Sequence, residues 1–268
     1  TEDRSAVVKI LDTGGIEVEN IYVLQHGSAS KTINVDMDGH LSTSIGSSEQ
    51  SKVAYLFVSG TLTSSDYTFI SQMSGLKYLD LSGIANTTLP KGSVVNGAID
   101  LKQTISGVGG VYETIIFPLT ITSIPEYCFS RCSNLKGDLI IPDYITQIGD
   151  GAFFNCTGFK GSLVIGKNVT DIGKNAFSTD GADSYSKATI KFSKIYCKAT
   201  TPPQMHVESH RGSGNGSTYY ESSFGDYTMQ STFAKSVAVP KGCAQSYQDS
   251  DWKIFSTIEE VDFDKIGY

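Results

Sequence analysis

Residues 111–177 can be written as VYETIIFPLTITSIPEYCFSRCSN (111–134), LKGDLIIPDYITQIGDGAFFNCTG (135–158) and FKGSLVIGKNVTDIGKNAF (159–177), one pattern set down three times without a gap. Ile115, Leu139 and Leu163 stand 24 residues apart, and so do Phe117, Ile141 and Ile165. The same step of 24 joins Ile121, Ile145 and Val169; Ile124, Ile148 and Ile172; and Phe129, Phe153 and Phe177. Cys132 and Cys156, and Gly137 and Gly161, keep the step, so apolar, aromatic, small and turn positions repeat together. A fixed period of this length is the mark of a solenoid in which each repeat is one coil stacked on the last.

A single coil cannot bury its own apolar side chains, because half of their surface faces the next coil. Leu139 and Ile141, spaced by two, read as a short strand with both side chains on one face. Strands of successive coils then lie about 4.8 Å apart in a parallel sheet. Pro142 lacks a backbone donor and marks where the ladder ends. Gly137 and Gly161 precede the strands, where a tight turn calls for positive φ. The Gly-x-x-Ala-Phe of Gly149–Phe153 and Gly173–Phe177 turns the chain back, with each phenylalanine filling the coil interior.

Copies extend in both directions. Leu56–Gly60 matches Leu79–Gly83, Leu76, Leu79 and Leu81 spell the L-x-x-L-x-L of a leucine-rich repeat, and Phe233, Val237, Val239 and Pro240 copy the internal spacing of Leu135, Leu139, Ile141 and Pro142. After Phe177, either Ile190 and Phe192 or Ile195 and Cys197 supply the next strand. The expected fold is a leucine-rich-repeat solenoid, an α/β repeat of mostly β and irregular coils, with about seven coils, one parallel sheet and end caps. Residues 1–50 form a β-rich segment and cap; 51–243 form the solenoid, with insertions near 84–114, which holds the loop Ser106–Gly110, and 204–232; and 244–268 form the C-terminal cap. In the caps, Leu41–Ile45 reads as a short helix, Asp66 caps another, and Trp252, Phe255, Ile258, Val261 and Phe263 are available to cover the last coil.

A net charge of −7 with the basic residues scattered argues against a nucleic-acid partner, which needs a concentrated cationic surface. No apolar run is long enough to span a membrane. The chain opens Thr-Glu-Asp-Arg-Ser, with neither an initiator methionine nor an apolar leader, which leads us to expect a mature protein whose targeting segment is removed. Five cysteines, an odd number, do not make a disulfide scaffold. Cys132 and Cys156 occupy equivalent places on adjacent coils, either as two stacked small apolar side chains or as a disulfide.

The blocks Ile141–Phe153 (IPDYITQIGDGAF), Ile195–Pro203 (IYCKATTPP) and Val239–Tyr247 (VPKGCAQSY) with Trp252, together with Gly39-His-Leu41 and Leu79-Asp-Leu-Ser82, resemble the BspA-like leucine-rich-repeat surface proteins of Bacteroidetes over residues 33–263. The resemblance implies an exported protein at the cell surface or outer membrane that binds other macromolecules, with members linked to adhesion. It carries over no catalytic residue and no cofactor.

The residues themselves point the same way. His206-Val-Glu-Ser-His210 is not H-E-x-x-H and adjoins a glycine-rich run that disfavours a helix. Gly212-x-Gly-x-Gly216 lacks the strand and helix of a phosphate loop, and Asp36-x-Asp38-Gly39 is a turn rather than a calcium loop. We expect no cofactor, no metal and no enzyme, but a binding module for a protein or polysaccharide. The competing classes are a structural spacer and a hydrolase whose site is assembled from residues distant in sequence. Two features suit binding. One is the outward stripe of Ile116, Ile140 and Val164, which is either a contact surface or a face covered by another part of the chain. The other is the insertion carrying Tyr219, Tyr220, Phe224 and Tyr227 among serines and glycines, either a paratope-like contact loop or an unstructured polar excursion.

Overall fold

The step of 24 becomes a hydrogen-bonded register: Leu139 pairs with Leu163, Ile124 with Ile148 and Ile148 with Ile172, and after a longer step Leu163 pairs with Ile195. The computed structural model describes residues 4–11, 17–25, 30–35, 40–92, 114–180, 187–211, 218–228 and 233–267. The Asp36–Gly39 turn, the Ser106–Gly110 loop and the Gly212–Gly216 run lie outside the described residues.

An antiparallel pair, β1 (Arg4–Leu11) and β2 (Glu17–Gln25), comes first. Four parallel strands follow, β3 (Ser30–Val35), β4 (Tyr55–Gly60), β5 (Tyr78–Ile84) and β6 (Thr114–Ile116), with the short helices α1 (Leu41–Ser44) and α2 (Ser64–Ser71) between the first three. Each later coil then adds strands on two sides: β7 (Ser123–Ile124) and β8 (Gly137–Ile141), then β9 (Gln147–Ile148) and β10 (Phe159–Ile165). After β11 (Asp171–Ile172) come a hairpin, β12 (Ser178–Asp180) and β13 (Lys187–Thr189), then β14 (Ile195–Cys197) and β15 (Gln204–Met205). An antiparallel arm, β16 (Glu208–Arg211), β17 (Thr218–Ser222) and β18 (Gly225–Thr228), precedes β19 (Phe233–Pro240). Helix α3 (Ala244–Gln248), strand β20 (Phe255–Val261) and helix α4 (Phe263–Ile266) end the chain.

The expected single sheet is a correction. The long side of the stack carries two parallel sheets, β3-β4-β5-β6 and β8-β10-β14-β19-β20, and the Ile124 side carries a third, β7-β9-β11-β15. The third arises because the Ile124 positions keep the same step as the Leu139 positions and so bring backbone to backbone on both sides. The segment expected to be a cap contributes a strand, since β20 lies parallel on β19. Of the two alternatives after Phe177, Ile195–Cys197 takes the sheet, and Ile190 and Phe192 are buried beside it.

Inside the coils the phenylalanines form a ladder. Phe129 stacks on Phe153 at 5.3 Å and 10°, and Phe153 on Phe177 at 5.7 Å and 5°, all fully buried. Equal spacing in sequence has become face-to-face stacking, each contact adding about 0.5–1.5 kcal/mol beyond area burial. Backbone bonds run alongside, from Phe129 N to Ala152 O at 2.8 Å and from Phe153 N to Ala176 O at 2.9 Å.

Polar side chains fasten one coil to the next. Asp138, Asp143 and Asp150 accept the backbone amides of Ser162, Lys167 and Lys174 at 2.6, 3.0 and 2.7 Å, each 24 residues on. Gly137 has φ +72°, as the turn expectation requires. Gly161 does not share it and lies within β10; a Cβ there would stand 2.0 Å from the Asp138 carboxylate and 2.7 Å from Gly137, so close approach of coils excludes a side chain.

At the N-terminal end Asp66 is not the helix cap but its partner. Thr63 caps α2, and Asp66 completes the capping box, accepting from the Thr63 amide and hydroxyl at 2.8 and 2.7 Å and from the Leu41 amide at the start of α1 at 2.8 Å. Burial opposes its charge, but the bonds from Thr63 and Leu41, with His40 beside it, outweigh burial and hold the carboxyl below its ordinary range.

Two outcomes follow from this packing. Phe153→Ala, in the middle of the ladder, is expected to cost about 3–5 kcal/mol in urea unfolding, as a buried aromatic truncation. Because the folded pKa of Asp66 lies below the unfolded value of about 3.9, its stabilisation is complete above that value and is lost as pH falls through the folded one. Asp66→Asn is therefore expected to lower the melting temperature at neutral pH and to flatten its fall below pH of about 4, read by thermal melts across an acid series.

Candidate functional site

Alternation along the strands turns Ile116, Ile140 and Val164 outward, but they do not form an exposed stripe. Ile140 is 50% exposed, Ile116 is half-buried and Val164 only 1% exposed. Val164 is a correction: it is buried, on a strand paired on both sides, with Ile140 as its register partner on one side and Tyr196 on the other. Tyr196 itself meets the ring of Phe263 edge-on at 6.3 Å.

The site begins where the register fails. Ile115 and Leu139 keep the step of 24, yet β6 ends the first sheet and β8 begins the second. On the other sides the same two coils are joined, by β7 on β9, by Thr146 N to Thr122 O at 2.7 Å and by Phe129 N to Ala152 O. Coils held together on two sides and not on the third form a wedge. A groove of about 440 Å³ occupies it. Phe117, Leu135, Leu139 and Phe159, all core residues, form its floor, and Ile116, Ile140 and the 66% exposed Leu119 stand at its lips.

Tyr144 lines the groove. At the same step, Thr120, Tyr144 and Asn168 each donate to a carbonyl of the preceding coil: Thr120 to Ile84 at 3.3 Å, Tyr144 to Phe117 at 3.3 Å and Asn168 to Asp143 at 2.7 Å. The task is constant while the length of the side chain is not. The acceptors differ in place, since Tyr144 reaches back 27 residues and Asn168 reaches back 25. Burial raises the Tyr144 pKa from its ordinary value, so the phenol remains a donor at neutral pH.

The described residues of the insertion form an antiparallel sheet, β16-β17-β18. Tyr220 and Tyr227 are register partners, and Tyr219 pairs with His210 and with Thr228. Phe224 is a second correction. At the tip of the β17–β18 hairpin it is fully buried, stacked on Phe177 at 5.3 Å and edge-on to Phe255 at 5.1 Å. The tip is bonded to the coil below through Asn175 N to Ser222 O and Phe177 N to Ser223 O, both 2.9 Å, and through Ser223 Oγ to Ile172 O at 2.7 Å. Where the chain stops writing copies, Phe224 takes the next rung of the phenylalanine ladder. Gln204 and Met205, expected to begin the insertion, instead pair with Asp171 and Ile172.

His206 Nε2 lies 3.3 Å from Asp171 Oδ2, and His210 is placed on β16. Among the described residues, no group of three or more His, Cys, Asp or Glu is gathered in a way that could hold a metal ion. Cys132 and Cys156 are buried and not joined in a disulfide, and Cys156 Sγ donates to Phe129 O at 2.9 Å. Burial and the adjoining Cys132 thiol push the Cys156 pKa well above the usual thiol value, which leaves the thiolate inaccessible.

Sequence reasoning reached Ile116 and Ile140 by strand alternation. It missed Leu119, Phe117 and Tyr144 as groove residues. The available signal was Tyr144 itself, a large ring in a column otherwise holding Thr120 and Asn168.

Among the described residues no helix is long and apolar enough to cross a membrane. No curated protein matches the chain. Residues 111–195 match the family model described as a BspA type leucine rich repeat region, in six copies, and this is the stretch that holds the phenylalanine ladder and the groove. Residues 111–195 are thus similar to the repeat region of the BspA-type leucine-rich-repeat family.

Proposed function

We propose that the chain is a non-catalytic, surface-associated module for adhesion, binding a protein partner at the groove between β6 and β8. The observation that carries the reading is where apolar surface is spent. Among the described residues, three large hydrophobic side chains are exposed, Leu119, Ile140 and Ile266, and two of them flank this one groove. An apolar concavity rimmed by polar groups is the usual form of a protein contact site. The repeat architecture suits the task, since stacked coils present a long surface without needing a preformed enclosed pocket.

The arm offers a second contact element through Tyr219, Tyr220 and Tyr227, because tyrosine supplies large contact area at low entropic cost. Phe224 and Val164 have no part in it, being committed to packing.

A panel of immobilised extracellular-matrix proteins, run beside a glycan array, tests the reading on the full chain. We expect a protein on the panel to be bound, and Ile140→Asp to weaken that binding by about tenfold or more, roughly 1.4 kcal/mol, with an unchanged melting temperature because the side chain is half exposed. Replacing 210–219 by a short Gly-Ser linker, while keeping Ser222–Gly225 in place, is expected to weaken binding without unfolding the ladder. Binding of glycans alone, or full affinity in Ile140→Asp, would sink the assignment of the groove.

A further inference from the structure

The groove has an unusual wall. Leu163 N donates to Lys194 O and Lys198 N donates to Ile165 O, both at 2.9 Å, so residues 163 and 165 turn their backbone groups to β14 and residue 164 turns its own to β8. In a parallel ladder the residue opposite then faces the other way. Val164 is opposite Ile140, so the amide and carbonyl of Ile140 point away from β10 and into the groove. Among the described residues no strand pairs with them, because β6 and β8 belong to different sheets. An unpaired strand edge is a template for another strand.

Edge and floor together select one kind of ligand. A strand edge recognises a polypeptide backbone, whatever its sequence. An apolar floor that reaches Leu135, Leu139 and Phe159 recognises a large apolar side chain pointing inward from that backbone. A segment with both properties is an extended peptide with apolar residues at alternate positions. Resting on the reading of the groove as the contact surface, we infer that the partner docks as an extended strand on the open edge of β8, hydrogen-bonded to Ile140 and seating an apolar or aromatic side chain against Leu135 and Phe159. Lys136 and Asp138, both on the rim, put charges of both signs there, so the peptide needs no net charge of its own to approach.

Panning a phage-displayed library of short linear peptides against the full chain, with Ile140→Asp as counter-selection, tests this. The expected result is enrichment of peptides with large apolar residues at every second position. In a backbone N-methylation scan of an enriched peptide, methylation at alternate residues is expected to weaken binding by about tenfold or more, since each removes one ladder donor, while methylation between them is tolerated. The Ile140 amide is expected to become protected from hydrogen exchange when the peptide is bound. Failure to enrich any linear peptide, tolerance of N-methylation at every position, or an Ile140 amide that exchanges as fast as before would each overturn the strand-docking mode. If a folded partner's binding is still lost in Ile140→Asp, the groove survives as contact surface and only the mode falls. If Ile140→Asp binds both peptide and folded partner normally, the groove itself is wrong.

Discussion

Everything in this structure depends on one coil closing against the next. A coil of 24 residues has too little interior to bury Phe153 or Leu139 by itself, so each apolar side chain is half covered by its own coil and half by a neighbour. The stack of Phe129, Phe153 and Phe177 shows how strictly this is met, with rings within 10° of parallel. It also shows what happens when the copies run out. The place above Phe177 must still be filled, and the chain fills it with Phe224, brought back by a hairpin from 47 residues further on rather than by another repeat. Trp252 then closes over Phe224, with its indole donating to Pro203 O at 2.8 Å, so the polar edge of the largest buried side chain is satisfied.

The same constraint explains the groove. Coils bonded on two sides need not meet on the third: β7 lies on β9 and Phe129 N reaches Ala152 O, while β6 and β8 belong to different sheets. The remaining contacts keep the wedge from opening further. A groove thus arises from a local departure inside a regular fold, which is where freedom for function tends to be found.

Polar groups settle the register that apolar packing alone would leave loose. Asp138, Asp143 and Asp150 each reach one coil forward to an amide, whereas Asp66 and Asn86 reach one coil back, to Leu41 and Leu62. A slip of one residue would leave the buried Asp66 carboxylate without partners, at a cost of about 1–3 kcal/mol or more. The N-terminal and central coils are therefore held by the same chemistry run in opposite directions.

Periodicity alone determined the repeat, the strand positions, the phenylalanine interior and the outward direction of Ile116 and Ile140, because each follows from spacing within one or two coils. Helix α1 and the place of Trp252 in the C-terminal cover were legible for the same local reason. Only the tertiary structure decided the rest. That Val164 is covered and Ile140 is not depends on which strands flank them, and neighbours are a property of stacking. That Phe224 belongs to the core rather than to a contact loop depends on a vacancy above Phe177, created by repeats ending elsewhere in the chain. That one sheet is two depends on β6 and β8 lying unpaired on either side of the groove, which is a property of how two coils meet. Sequence period sets where a residue points within its own coil; what it meets there is set by the coil beside it.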